Sequence, residues 1–188
     1  QVAVVVIVDV LSFSTAVDVA VSRGALIHPF PYGDEAAAAA EAARVGARPV
    51  SGRRAGAQLS LSPASLMRLE PGERLLLPSP NGSRLSLACG TAQVLAGSLR
   101  NASAVAARAL ELAQGADIAV IPAGEHWADG GLRPAIEDLI GAGAVIEALA
   151  IEADAEAATA REAFTGARWA LRRRLFDCRS GRELVGRG

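Results

Sequence analysis

One carboxylate, Asp9, directly follows the β-branched apolar run over residues 4–8 and precedes a group of hydroxyl residues. Such a run is typical of a strand buried on both faces of a parallel sheet. Asp9 is therefore predicted to lie at its carboxyl end, where open α/β sheets bind ligands. Ser12, Ser14 and Thr15 are residue types that can cap a helix predicted over residues 16–22, whose free N–H groups would point to the same edge. A carboxylate facing an anion-binding helix start indicates phosphate chemistry with a metal between the two. The alternative is an Asp that only caps the helix.

A second polar segment follows the apolar run over residues 75–77 and consists of Asn81, Gly82, Ser83 and Arg84. The prolines before it exclude a helix there, and the Asn-Gly pair predicts a turn with positive φ. Backbone amides, the Ser83 hydroxyl and the Arg84 guanidinium could converge on one oxyanion, because arginine binds phosphate in a bidentate manner. The alternative is an ordinary Asn-Gly turn followed by a surface arginine.

Two further carboxylates, Glu137 and Asp138, lie in the first turn of a helix predicted over residues 135–149. The helix dipole alone favours acidic residues at this position. Carboxylates from separate strand ends are also what Mg²⁺ needs, with water and substrate completing its octahedron. Glu125 and His126, in the glycine-rich loop before this helix, could add a ligand or a general acid.

The composition excludes several classes of function. The formal net charge is -1, so there is no bulk field to favour nucleic acid or acidic membranes. The chain contains no lysine, which excludes a Schiff-base or P-loop lysine mechanism. Cys89 and Cys178 are too few and too far apart for a metal knuckle, and they predict a reduced, cytoplasmic setting. No segment is long and apolar enough to predict a membrane span.

Strand and helix patterns alternate along the chain. This order predicts one α/β domain over residues 1–188, with three α/β/α layers and a largely parallel central sheet. The core must consist mainly of Ala, Val, Leu and Ile, because only 4% of the residues are aromatic. Further strands are predicted over residues 25–30 and 118–121, and an irregular loop over residues 51–63. Further helices are predicted over residues 35–45, 85–95, 102–114 and 155–176. Asp34 and Asn101 are the predicted N-caps of the first and third of these helices. The chain begins inside a strand without Met, so we expect part of its N-terminus to be missing.

Taken in chain order, these segments resemble the 2-phosphosulfolactate phosphatase family. The matching segments are Asp9-Val10-Leu11 with Ser14-Thr15, Arg23-Gly24-Ala25, Asn81-Gly82-Ser83-Arg84, residues 97–106, Ala123-Gly124, and Ile136-Glu137-Asp138 with Ala142-Gly143. The resemblance implies a Mg²⁺-dependent acid phosphatase of α/β/α architecture that removes phosphate from 2-phospho-3-sulfolactate, a step in coenzyme M synthesis. Family members usually continue into a final strand, so we expect the C-terminus to be incomplete too.

The resemblance and the residue chemistry together predict a set of roles. Asp9 either ligates Mg²⁺ or attacks phosphorus, and the Arg84 region neutralises the phosphoryl oxygens. The predicted catalytic residues are Asp9, Arg84 and Glu137; the predicted metal ligands are Asp9, Glu137 and Asp138; the predicted substrate-binding residues are Ser14, Thr15, Asn81, Gly82, Ser83, Asn101 and Gly124. The expected partner is a small phosphate ester, and apolar helix faces such as those at Leu95 and Val105 could serve a homodimer.

Three positions depart from the family pattern. Ser12 stands where an arginine is common, Arg53 replaces an acid, and Leu61 replaces an asparagine. Losing a charge partner at a ligand contact can cost several kcal/mol of recognition. The departures therefore favour a second hypothesis, a catalytically degenerate module that binds a small phosphorylated or sulfonated anion.

Overall fold

Two three-stranded parallel sheets carry the fold of this computed structural model, which describes residues 2–50 and 59–186. In the first sheet, β1 (Val2–Val8) lies between β5 (Gln93–Gly97) and β6 (Asp117–Pro122). In the second, β4 (Arg74–Ser79) lies between β2 (Leu26–Pro31) and β3 (Arg48–Pro49). A short antiparallel hairpin pairs β7 (Glu125–His126) with β8 (Leu132–Arg133). The predicted α/β class with parallel strands is confirmed, and its strands are divided between two sheets.

Helices connect and cover these strands. They are α1 (Phe13–Ser22), α2 (Glu35–Val45), α3 (Pro63–Leu66), α4 (Gly82–Ala88), α5 (Ala102–Ala113), α6 (Ile136–Leu149), α7 (Ala155–Ala167), a 3₁₀ turn (Arg168–Ala170), α8 (Leu171–Asp177) and α9 (Arg179–Gly186). None of the helices within residues 2–50 and 59–186 has both the length and the apolar character needed to cross a membrane.

Each sheet has its own aliphatic core, as the composition requires. The first core joins alternate valines of β1 to α5 and α6, for example Val6, Ala109 and Val145. The second core joins α1 and α3 to β4. Burial of these side chains removes apolar area from water and is the main favourable term in holding the layers together.

Two glycines allow α6 to pack closely on its neighbours. A Cβ at Gly141 would lie 2.4 Å from Cγ2 of Val10, and one at Gly143 would lie 2.0 Å from the carbonyl oxygen of Ala160 in α7. Both distances are far below van der Waals contact, so neither position has room for a side chain. Gly141 therefore lets α6 lie directly against Val10 in the loop that follows β1, and Gly143 lets it lie directly against α7.

The structure confirms several predicted elements in detail. Helix α2 covers the predicted residues, Glu35–Val45, and begins at Asp34, whose Oδ1 accepts a hydrogen bond from the Ala37 N–H at 2.8 Å. It ends at Gly46, whose φ of 65° is left-handed and closes the helix as such a glycine commonly does. The local signals agree with each other at this helix, which is why its bounds could be predicted.

Other predicted elements are wrong. The helix predicted over residues 85–95 ends at Ala88, because the chain turns at Gly90 (φ 59°) and Gln93–Gly97 pairs with β1 as a strand. The Asn81-Gly82 turn with positive φ is absent from the described chain: Asn81 has φ -107°, and Gly82 begins α4. The helix predicted over residues 155–176 is broken by the 3₁₀ turn. Residues 51–58 of the predicted loop, including Arg53, lie outside the described residues.

Candidate active site

The site begins where the three strands of the first sheet end together. Val8 pairs with Gly97 on one side and with Pro122 on the other, so the loops after β1, β5 and β6 start at the same edge. Asp9 is the first residue beyond β1 and is 6% exposed. This is the edge at which the sequence predicted a ligand site.

The loop between β1 and α1 is shaped by two hydroxyl groups. Ser14 Oγ donates to the Ile7 carbonyl at 2.8 Å and accepts from the Asp9 N–H at 3.0 Å. Thr15 Oγ1 donates to the Val10 carbonyl at 2.5 Å. These bonds turn the chain back on the strand and fix the backbone that carries Asp9. Direct contact of either hydroxyl with a substrate stays a prediction.

Asp138 lies beside the end of β1 and binds two backbone N–H groups. Its Oδ1 accepts from Val10 at 2.8 Å, and its Oδ2 accepts from Gly124 at 3.0 Å. Burial, followed by the nearby Asp9 carboxylate, raises the pKa of Asp138 to about 9. The two backbone donors favour the charged form and oppose this rise only in part. Asp138 therefore keeps its proton at neutral pH, beside the carboxyl of Asp9.

Glu137 is as buried as Asp138, but its carboxyl also lies against the junction of α8 and α9. Burial raises the pKa of the Cys178 thiol, and the neighbouring Glu137 carboxyl raises it further. Among the described residues, 2–50 and 59–186, no three or more His, Cys, Asp or Glu side chains form a group that could hold a metal. Asp9 and Asp138 are thus the predicted ligands that the structure brings together, and the metal itself stays a prediction.

A second polar cluster lies on the β7–β8 hairpin and at the start of α4. Asn81 Nδ2 donates to Glu125 Oε2 at 3.0 Å, and Asn81 Oδ1 lies 2.9 Å from His126 Nδ1. Because Oδ1 can only accept, these contacts assign the proton to Nδ1. Nε2 is then left to accept from Arg84 Nη2, 3.5 Å away. The cluster thus orients an imidazole and a guanidinium side by side.

Gly124 connects the carboxylate pair to this second cluster. Its N–H binds Asp138, and the next two residues, Glu125 and His126, bind Asn81. Gly124 has φ 68°, a conformation that favours glycine. This short segment therefore connects the predicted metal ligand Asp138 to the predicted phosphate-binding residue Asn81.

A close contact joins the start of α4 to the start of α1. A Cβ on Gly82 would lie 2.2 Å from the ring of Phe13, so only glycine fits there. Next to it, Ser83 Oγ donates to the Leu77 carbonyl at 2.7 Å, as Ser14 does to Ile7 at the other loop. The predicted binding residues Gly82 and Ser83 therefore also have structural contacts, and their contact with substrate stays a prediction.

Asn101 shapes the loop after β5. Its Oδ1 accepts from the N–H and the hydroxyl of Ser98 at 2.7 and 3.1 Å, and its Nδ2 donates to the Ala96 carbonyl at 3.0 Å. Asn101 precedes α5, but its side chain does not cap that helix. Ser98, fully buried at the same edge of the sheet, was not singled out by the sequence analysis. A hydroxyl residue directly after a strand was the available signal.

Comparison with known proteins agrees with the motifs. The family model described as 2-phosphosulpholactate phosphatase matches residues 1–188, the whole chain. A search of curated proteins found no match. The resemblance inferred from short motifs is therefore confirmed.

Proposed function

This chain belongs to the 2-phosphosulpholactate phosphatase family, and from that premise we propose that it hydrolyses the phosphate ester of a small 2-hydroxy acid, by resemblance 2-phospho-3-sulfolactate. The observation that carries the proposal is the buried pair of Asp9 and Asp138, linked through Gly124 to the Asn81 cluster. Carboxylates on one side and a guanidinium with amide donors on the other suit a phosphoryl group between them.

Mg²⁺ is the cation that we propose for the carboxylate pair. Mg²⁺ usually binds through one or two carboxylates together with water and substrate phosphate, so two ligands suffice. The raised pKa of Asp138 supports this choice, because a cation relieves the same repulsion as a proton. When bound, the metal supplies charge to the phosphoryl oxygens. Glu137, the third predicted ligand, adds negative charge from the neighbouring position.

The side chains of the second polar cluster have separate proposed roles in binding the phosphoryl group and in proton transfer. Arg84 binds two phosphoryl oxygens, while Asn81 holds the His126 ring that lies beside it. Hydrolysis forms a bond from a water oxygen to phosphorus, breaks the bond from phosphorus to the C2 oxygen, and moves one proton of the water to the C2 oxygen. The leaving alkoxide takes up this proton from His126 Nε2, the proposed donor, once Arg84 has turned from Nε2 to the phosphoryl oxygens and Nε2 carries a proton.

The role of Asp9 has two versions, which differ in the bond first made to phosphorus. In one, Asp9 attacks phosphorus and water then cleaves the acyl phosphate; in the other, Asp9 holds the metal and water attacks directly. A substrate with a chiral phosphate separates them, because two displacements retain the configuration at phosphorus and a single displacement inverts it.

The test is phosphate release from 2-phosphosulfolactate and 2-phospholactate, measured side by side with Mg²⁺ and with EDTA. We expect metal-dependent release that favours the sulfonate. An equal or inverted preference would keep the phosphatase but reject the sulfolactate substrate. No release of phosphate from either ester by the folded protein would reject the phosphatase.

A second candidate, an anion-binding module without turnover, is favoured by one observation in particular. Leu61, at the position where the family carries an amide, is 5% exposed and packs in the second core, so it offers no polar contact. Binding of 2-phosphosulfolactate without any phosphate release, with and without Mg²⁺, would support this candidate.

A further inference from the structure

The β7–β8 hairpin is attached to the C-terminal helix α9 through Arg133. This arginine is only 6% exposed, and its Nη2 donates to Ser180 Oγ and to Glu183 Oε2, each at 3.3 Å. A buried guanidinium needs partners of this kind, because an unpaired charge away from water is costly. The hairpin strand β8 is therefore fixed to α9 by a charged contact.

Trp127 adds a second attachment, one residue after His126. The guanidinium carbons of Arg133 and Arg179 lie 5.7 and 4.6 Å from the centre of the Trp127 ring. These distances are within the range of cation–π attraction. Glu183 bonds both arginines, since its Oε1 accepts from Arg179 Nε at 3.0 Å while Oε2 accepts from Arg133. One carboxylate thus holds both cations that contact the indole.

Backbone pairing within the β7–β8 hairpin connects the residues that contact α9 to Glu125 and His126 in the candidate site. Glu125 pairs with Arg133 and His126 pairs with Leu132, and the Trp127 N–H donates to the Gly131 carbonyl at 2.8 Å. The backbone that carries Glu125 and His126 is therefore the same unit that α9 holds. Glu125 and His126 in turn bind Asn81, the residue that precedes α4.

We propose that α9 is a brace for the reaction: Glu183, Arg133, Arg179 and Trp127 are positioning residues that hold the hairpin so that His126 and Asn81 stay aligned with Arg84. The inference rests on the proposed function and adds residues to it. None of the four brace residues touches substrate in this scheme. They act because a misplacement of about 1 Å in a catalytic group can cost about 10²-fold in rate.

The main test is Glu183→Gln, which keeps the side-chain shape and removes the charge that both arginines share. We expect kcat to fall by about 10-fold or more with little change in KM, as expected when alignment rather than binding is lost. The matched control is Glu111→Gln, the same substitution at an exposed carboxylate of α5 that pairs with Arg108 in the same helix. Its kcat should equal that of the unchanged protein.

Rescue distinguishes positioning from a general loss of structure. Trp127→Phe keeps an aromatic face for the two guanidinium groups and should retain most of kcat, whereas Trp127→Leu should lose as much as Glu183→Gln. If Glu183→Gln does not fold, Arg179→Met replaces it, because Arg179 is 58% exposed and its loss leaves the buried Arg133 contacts intact. If Trp127→Leu and Glu183→Gln, or Arg179→Met in place of the latter, have the same kcat as the control, the brace is overturned.

A readout without substrate separates this inference from the proposed function. The chain has 2 tryptophans, and Trp169 is 86% exposed, so Trp169→Phe leaves Trp127 as the sole reporter. In that background, Glu183→Gln should shift the Trp127 emission, because the carboxylate that holds both guanidinium groups against the indole is lost, whereas Glu111→Gln should leave the emission unchanged. If the unchanged protein releases no phosphate from the esters, the phosphatase fails while this readout still decides the brace. An unchanged Trp127 emission in Glu183→Gln would reject the brace.

Discussion

Asp138 and Val10 lie 128 positions apart in the chain, yet the Val10 N–H donates to the Asp138 carboxylate at 2.8 Å. The bond fixes the first turn of α6 to the residue that follows Asp9. It holds the carboxyl of Asp138 beside that of Asp9, and the expected dependence of stability on pH and on Mg²⁺ follows from that placement.

The stability of the protein without metal should fall as pH rises from about 4 to about 9. The pKa of Asp138 is raised from 3.8 to about 9, so across this window the folded protein keeps a proton that the unfolded chain has released. Stability then falls with pH, by at most about 1.4 kcal/mol per unit for one group. Thermal unfolding at several pH values in EDTA measures the slope. Asp9→Asn should make the slope of stability against pH shallower, because the variant lacks the carboxylate that helps to raise the pKa of Asp138. An equal slope in that variant would contradict this role of Asp9.

Mg²⁺ should stabilise the protein more at pH 8 than at pH 5. At the lower pH a proton already occupies the carboxylate pair, and the cation must displace it. A ligand that binds only the folded state raises the free energy of unfolding with its concentration. The melting temperature with and without Mg²⁺ at both pH values checks this. The same shift at both pH values, or an undiminished shift in Asp9→Asn, would count against the metal site.

Asp9→Asn should abolish phosphate release while leaving the fold intact. The amide has nearly the same shape but can neither attack phosphorus nor hold a cation as a carboxylate does, so kcat should fall by at least about 10²-fold. Steady-state kinetics and circular dichroism measure the two effects. The variant should not lose stability, because the repulsion with Asp138 is removed. Retained turnover would exclude both versions of the mechanism.

Gly82→Ala should destabilise the protein and reduce activity together. The new methyl group would overlap the Phe13 ring, and overpacking of this kind costs about 1–3 kcal/mol. Gly166→Ala in α7 is the matched control, because nothing lies within 4 Å of its Cβ position. Alanine there should stabilise the helix by up to about 1 kcal/mol. Denaturant unfolding compares the two. Adding Phe13→Leu to Gly82→Ala should recover part of the loss if the ring is the cause.

The sequence was most informative where local signals agree. The position of Asp9 at a strand end and both ends of α2 could be predicted, because burial pattern, capping residue and terminal glycine point to the same answer. Strand β5 could not be predicted from the sequence, because Val94 and Leu95 also fit a helical period. Their extended conformation depends on pairing with β1.

Within the site, the contacts between distant residues escaped prediction. Asn81 and His126 are 45 positions apart, and nothing in either local pattern indicates that their side chains meet. The proximity of Glu137 to Cys178 is of the same kind, because it depends on how α8 and α9 return to α6. Residue types indicated the chemistry, whereas tertiary packing selected which of the candidates face each other.

Asp9 follows a strand of one sheet, while Asn81 follows a strand of the other, and each sheet has its own core. A phosphate ester bound between Asp9 and Arg84 therefore crosses the junction of the two cores. Occupancy would therefore raise the free energy of unfolding of both cores together, because the loss of either sheet would release the ester.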